Sequence, residues 1–142
     1  MKIEEKGFTY YIDKKKGVCV CKSPNIMREF YQEATLFFKN KVGVSDFSYS
    51  VGLWLDKHYN IITGLTGKAR CNFEEGEIFD AKQGCELARK RLIIKIAFWR
   101  IKMYRFICHS LQEVRIEAFK RIKGNRLIRG TAMDYIDNYS QE

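Results

Sequence analysis

The sequence predicts an α+β domain, and three observations predict it. Short runs rich in aromatic and β-branched residues, separated by turn residues, recur between Phe8 and Cys71, which is strand and hairpin chemistry. Ser23 to Val42 carries apolar residues at spacings of three and four, the period of an amphipathic helix. From Ala81 to Lys123 there is no proline, and Gly84 is the only glycine, so a long helical region can follow. The expected order is ββαββα: an antiparallel sheet of about four strands packed by one amphipathic helix and by a long basic C-terminal helix. A chain of 142 residues suits one domain. Its 46% hydrophobic and 14% aromatic content, with one proline, excludes disorder and low complexity.

The elements follow in order. Phe8 to Ile12 and Val18 to Lys22 flank Asp13-Lys14-Lys15-Lys16-Gly17 and read as a hairpin. Ser23 then offers an N-cap with Pro24 at the first helical position, and Met27, Phe30, Tyr31, Ala34, Phe37 and Phe38 form one apolar face that runs on to Gly43. Phe47 to Leu55 has the composition of a strand, Asp56 to Asn60 offers a turn, and Ile61 to Cys71 reads as its hairpin partner. Gly64 and Gly67 within that run predict a bulge or a close backbone approach. Asn72 to Ile78 is an acidic loop, and Asp80 with Gln83 three positions on is a helix start. The helix from Ala81 is either continuous or bent near His109-Ser110. The expected organisation is a single domain over residues 1–142: sheet and first helix in 1–80, a basic helical region in 81–130 and an acidic tail in 131–142.

Charge distinguishes this chain. The formal net charge is +9 and the pI is near 9.4. Residues 1–88 are nearly balanced, with 13 basic and 12 acidic side chains, whereas residues 89–129 hold 13 basic side chains and only Glu113 and Glu117 as acids. Projected at 100° per residue, Arg91, Lys95, Lys102, Arg105 and His109 fall in one stripe, to which Lys120 and Lys123 return. A localised cationic stripe with so few acids at i±4 points to a polyanionic partner, nucleic acid first. Tyr10, Tyr11, Tyr49, Trp54 and Tyr59, expected on strands, could stack on bases. The remaining arc of the helix is apolar around Trp99 and Phe106 and wider than one sheet face needs, so it suits contact with the first helix or a protein interface with a second copy of the chain, as in a homodimer. Arg89 and Arg100 fall within that arc and must snorkel or mark a second polar face.

Enzymatic motifs are weak. Gly64-Leu65-Thr66-Gly67-Lys68-Ala69 lacks both the first glycine and the magnesium-ligating hydroxyl of a phosphate-binding loop. Cys19, Cys21, Cys71, Cys85 and Cys108 never form C-x-x-C, so buried apolar roles are expected in place of zinc ligation or a disulfide framework. His58, in an expected exposed turn, and His109 have no nucleophile or carboxylate at useful spacing. The acids at Glu74, Glu75, Glu77 and Asp80 suit a helix N-terminus better than a calcium loop. No catalytic residue, metal or cofactor is therefore expected, and a small nuclease is the least favoured alternative. The N-terminal residues lack the apolar core of a signal peptide, and Leu92 to Leu111 is interrupted by Lys95, Arg100, Lys102 and Arg105, so the expectation is a cytoplasmic protein without a membrane span.

Gly67-Lys68-Ala69-Arg70-Cys71-Asn72, with Glu77, Phe79-Asp80, Gly84, Leu87-Ala88 and Arg91, resembles a pattern in small proteins of Gram-positive phages and mobile elements, and more distantly small bacterial domains with a fold like the double-stranded-RNA-binding domain. It covers about residues 61–95. The resemblance implies a phage-like origin and the binding of host machinery, CRISPR nucleases included. Together with the basic stripe, it leads to an expected function: non-catalytic binding of nucleic acid or a host ribonucleoprotein, with inhibition of a host defence nuclease as the consequence. The alternative is a homo-oligomeric interaction or scaffold protein.

Overall fold

Alternating burial along three strands sets the architecture of the sheet. In β2 (Phe8–Asp13), β3 (Val18–Lys22) and β4 (Thr66–Arg70), Tyr10, Ile12, Cys19, Cys21, Gly67 and Ala69 are buried, while most of the residues between them are exposed or half-exposed. The register aligns these inward residues, with Tyr10 opposite Cys21, Ile12 opposite Cys19, and Cys19 opposite Ala69. A fourth strand, β1 (Lys2–Glu5), pairs antiparallel with β2, giving the order β1-β2-β3-β4. The Met1 ammonium and carbonyl extend that ladder by bonding the Ile12 carbonyl and amide at 2.9 and 2.8 Å. This is a computed structural model that describes residues 1–42 and 45–128, without the side chains of 42, 45–48, 123, 124 and 126–128. The expected acidic tail at 131–142 and the Gly43 helix stop lie outside the described residues.

The helices are α1 (Ile26–Phe37), which continues as a π-helical turn over Phe38–Val42, α2 (Ser45–Lys57), α3 (Tyr59–Thr63) and α4 (Ala81–Ile128). The class, the four-stranded antiparallel sheet and the long C-terminal helix are as the sequence predicts. The second hairpin is not. Phe47 to Leu55 is helical, because Val51 and Leu55 lie one turn apart and bury together; tertiary packing overrides strand-like composition there. Residues 59–63 are helical too, so only the second half of the expected Ile61–Cys71 strand joins the sheet. The strand count is kept by β1, whose four residues are all exposed and show no apolar alternation to read. The first helix starts later than expected. Asn25 precedes it without a side-chain cap, and the Ser23 carbonyl, not its hydroxyl, takes the Ile26 N–H.

The chain divides into two units, Met1–Tyr104 and Arg105–Glu142. In the first, α4 crosses the inner face of the sheet at Gly67. A Cβ built on Gly67 would fall 1.8 Å from the Ala88 carbonyl oxygen, so only glycine admits the helix at this distance. Further along α4, Leu92, Ile96 and Met103 are buried, as are Phe30, Ala34, Val51, Leu55 and Ile62 of α1, α2 and α3. Tyr104 donates to Glu33 at 2.8 Å and meets the Phe37 ring edge-on at 5.6 Å, which ties α4 to α1. In the second unit α4 runs on to Ile128 without a break at His109-Ser110.

Candidate nucleic-acid interface

The outward face of the sheet is built by the residues that alternate with the core. The register sets Lys2, Tyr11, Val20 and Lys68 in one row across all four strands, Glu4, Thr9, Lys22 and Thr66 in the next, and Asp13, Val18 and Arg70 in a third. Lys14, Lys15 and Lys16 extend from the β2–β3 turn at its margin, all exposed. Four basic side chains on the face and three in the turn thus stand against two acids, and Glu4 is already occupied by Lys2 at 3.4 Å. Tyr11 is 43% exposed, so its ring is available, and the Lys22 ammonium lies 5.6 Å from its centroid. Lys2, Tyr11, Lys14, Lys15 and Val20 also line an open depression of about 770 Å³.

The basic stripe of α4 divides between the units. Arg91 donates to the Lys68 carbonyl at 2.6 Å, and Lys95 to the Thr66 carbonyl at 2.7 Å. Both carbonyls belong to β4, the edge strand, so the two cations satisfy edge groups that would otherwise recruit another strand. The same contacts bring the two cations to the β4 backbone at Lys68 and Thr66, so the β4 edge is a cationic rim adjoining the face on which Lys68 and Arg70 stand. Arginine has five donors and lysine three, so one backbone bond leaves each able to meet an anion. Lys102 is engaged differently: its ammonium lies 4.7 and 4.5 Å from the ring centroids of Phe98 and Trp99.

In the second unit Arg105 and Lys120 are exposed; His109, expected to lack a carboxylate at useful spacing, has Glu113 one helical turn on, with Nε2 3.0 Å from its carboxylate. The Lys123 side chain lies outside the described residues. Trp99, expected at a protein interface, is half-buried against Trp54 and His58, at 6.2 and 5.4 Å between centroids. Phe106 is half-buried in the second unit. Of the five aromatics considered for stacking, Tyr10 is buried, Tyr49 and Tyr59 are exposed on helices, and Tyr11 alone stands on the outward sheet face.

The groups considered for chemistry have structural partners. His58 is the expected turn residue, between α2 and α3, but it is half-buried and not exposed: its ring packs against Trp54 and Trp99, and Nδ1 is 2.8 Å from the Trp54 carbonyl. Cys19 and Cys85 approach to 4.0 Å between sulfurs, and burial pushes the Cys19 and Cys21 thiols up to about 11, far from the thiolate form that binds metal. Among the described residues no group of three or more His, Cys, Asp or Glu could hold a metal ion. Asp80 caps α4, accepting from the Lys82 and Gln83 amides at 3.0 and 3.3 Å, and Glu77 accepts from the Asn72 amide at 2.7 Å. Arg100 lies 3.0 Å from Glu33, an ion pair without hydrogen-bond alignment, and 5.8 Å from the Phe30 ring centroid.

The charge on the outward sheet face is hidden in the sequence because its acids and bases nearly cancel over residues 1–88. Period-two projection of the strands would have separated them, placing Lys22, Lys68 and Arg70 on the face opposite Cys19, Cys21 and Ala69. No helix among the described residues is long and apolar enough to cross a membrane. No family model, curated protein or solved structure matches the chain.

Proposed function

We propose that this protein binds nucleic acid, free or within a ribonucleoprotein, without catalysing a reaction on it, and that the outward sheet face with its β4 rim is the binding surface. One observation carries the reading: Lys22, Lys68 and Arg70 stand on the outward face with an exposed tyrosine ring, and Arg91 and Lys95 reach the backbone of the adjoining β4 edge. Phosphates are met by such cations through counterion release, and a ring on a flat sheet offers a base a stacking partner. Arg105 and Lys120 give the second unit its own cations, which can add backbone contacts. Occupying the guide or target strand of a defence nuclease would inhibit that enzyme, the role the phage-like resemblance implies.

Fluorescence anisotropy with labelled single- and double-stranded RNA and DNA across a salt series tests this. Replacing Lys22, Lys68 and Arg70 together by glutamine should weaken binding and lower the slope of log affinity against log salt by about 2 to 3, since each lost phosphate contact removes about 0.7 to 0.9. The melting temperature should change little, because all three side chains are exposed. Unchanged affinity in this variant, or affinity indifferent to salt, would overturn the assignment. Loss on changing only Arg105 and Lys120 would move the site to the second unit.

A further inference from the structure

A second surface lies on α4, away from the sheet. Within the first unit the helix buries Ala88, Leu92, Ile96 and Met103, yet Leu87, Ile94, Phe98 and Ile101 are 42% to 68% exposed. The last three are spaced by four and three residues, and Leu87 stands seven before Ile94, so all four lie on one ridge with the 3.5-residue period of a helix–helix seam. Four large apolar side chains in a row exceed the scattered exposure normal on a surface.

The flanks decide what covers this ridge. Taking Leu87, Ile94 and Ile101 as d positions and Phe98 as a, Arg91 falls at the a position between Leu87 and Ile94, and the e and g positions flanking Ile94 to Ile101 are Lys90, Lys95, Ala97 and Lys102: three lysines and no acid. Lys95 reaches back to Thr66, and Lys102 lies against the Phe98 and Trp99 rings, but neither contact neutralises the charge. Lys90 has only an exposed pair with Glu86 at 3.8 Å, a weak interaction. A second copy is disfavoured in either orientation. Parallel pairing sets Lys90 against Lys95, and antiparallel pairing sets Lys95 against Lys102, like charges flanking the seam. We infer that the ridge Leu87-Ile94-Phe98-Ile101 docks an amphipathic helix of another protein whose flanking positions are acidic. The ridge faces away from the sheet and shares only its Lys95 flank with the β4 rim, and the inference does not depend on nucleic-acid binding.

The test uses the full chain and two synthetic three-heptad helical peptides with leucine at both seam positions, one with glutamate and the other with lysine at every flanking position. The glutamate peptide should bind and the lysine peptide should not. Changing Ile94→Ser with Phe98→Ser should weaken glutamate-peptide binding about tenfold or more, with the melting temperature retained because both side chains are largely exposed. Changing Lys90→Glu with Lys102→Glu should transfer the preference to the lysine peptide, a gain that misfolding cannot produce. Failure of the glutamate peptide to bind, equal binding of both peptides, or binding indifferent to the serine changes would overturn the inference. So would a salt-resistant dimer in sedimentation that those changes dissociate, or binding to anionic phosphatidylglycerol vesicles in place of either peptide.

Discussion

At Gly67 the identity of a single residue decides how closely a helix and a strand can meet. A methyl group there would lie 1.8 Å from the Ala88 carbonyl oxygen and 2.7 Å from the Leu92 nitrogen, backbone atoms that cannot rotate away. Gly67→Ala should therefore destabilise the protein by about 3 kcal/mol or more, at the upper end of overpacking costs, measured by urea unfolding. Gly52, within α2, is the control: a Cβ there meets nothing closer than Tyr31 Cε1 at 4.0 Å. Gly52→Ala should stabilise by about 0.5 to 1 kcal/mol, through helix propensity and reduced freedom of the unfolded chain. Equal effects at the two positions would contradict a tight α4–β4 crossing. The close approach at Gly67 was legible in the sequence, because a glycine inside a strand-like run marks a bulge or a backbone passing close by. That the approaching backbone is Ala88 was not, since it depends on a contact 21 residues away.

At the scale of elements, the start of α4 was the most readable. Asp80 supplies its carboxylate to two orphan amides of the first turn, as the Asp-x-x-Gln spacing predicts. Asp80→Ala should cost about 0.5 to 2 kcal/mol and Asp80→Asn much less, with thermal melts as the measure; equal losses would assign the role to charge near the helix dipole instead of to the hydrogen bonds. α2 was the least readable. Its aromatic and serine-rich run resembles a strand, and what makes it a helix is the burial of Val51 and Leu55, visible only once α1 and α3 are in place. β1 was hidden for the opposite reason: fully exposed, it is held by ladder hydrogen bonds, which leave no hydrophobic signature. The basic stripe was legible along the chain, yet the bonds of Arg91 and Lys95 to β4 could not be read, because a helical projection shows a face without showing what lies opposite.

At the scale of the whole molecule, four side chains of the first unit, two buried thiols and two half-buried phenols, hold their protons more tightly than in the unfolded chain. Tyr31 is pushed up to about 12 by burial and by its hydrogen bond to Asp56, linking α1 to α2, and Tyr104 to about 12 by burial and its bond to Glu33. Cys19 and Cys21 are raised to about 11 by burial between sheet and helix. In the unfolded chain thiols ionise near 9 and phenols near 10. Below those values both states hold their protons, and the stabilisation is complete. As the pH rises the unfolded chain releases protons that the folded chain retains, so stability falls from about pH 9 and is lost through about 12. Melting temperatures should decline steadily over that range, with a shallower decline above about pH 10 in Tyr104→Phe; a flat profile would show that these groups are solvated.

The sheet also sets an order of assembly. β1, β2 and β3 pair with immediate neighbours in the chain, whereas β3 and β4 join residues 44 to 52 positions apart, Lys22 with Thr66 and Val18 with Arg70. Closing a loop of that length is entropically costly before any contact compensates it, and α1, α2 and α3 all lie inside it. Contact separation therefore favours early formation of the local three-stranded meander, with β4 joining after the loop that holds the helices has closed. The cationic rim exists only when β4 is in place, so its formation depends on closing that loop.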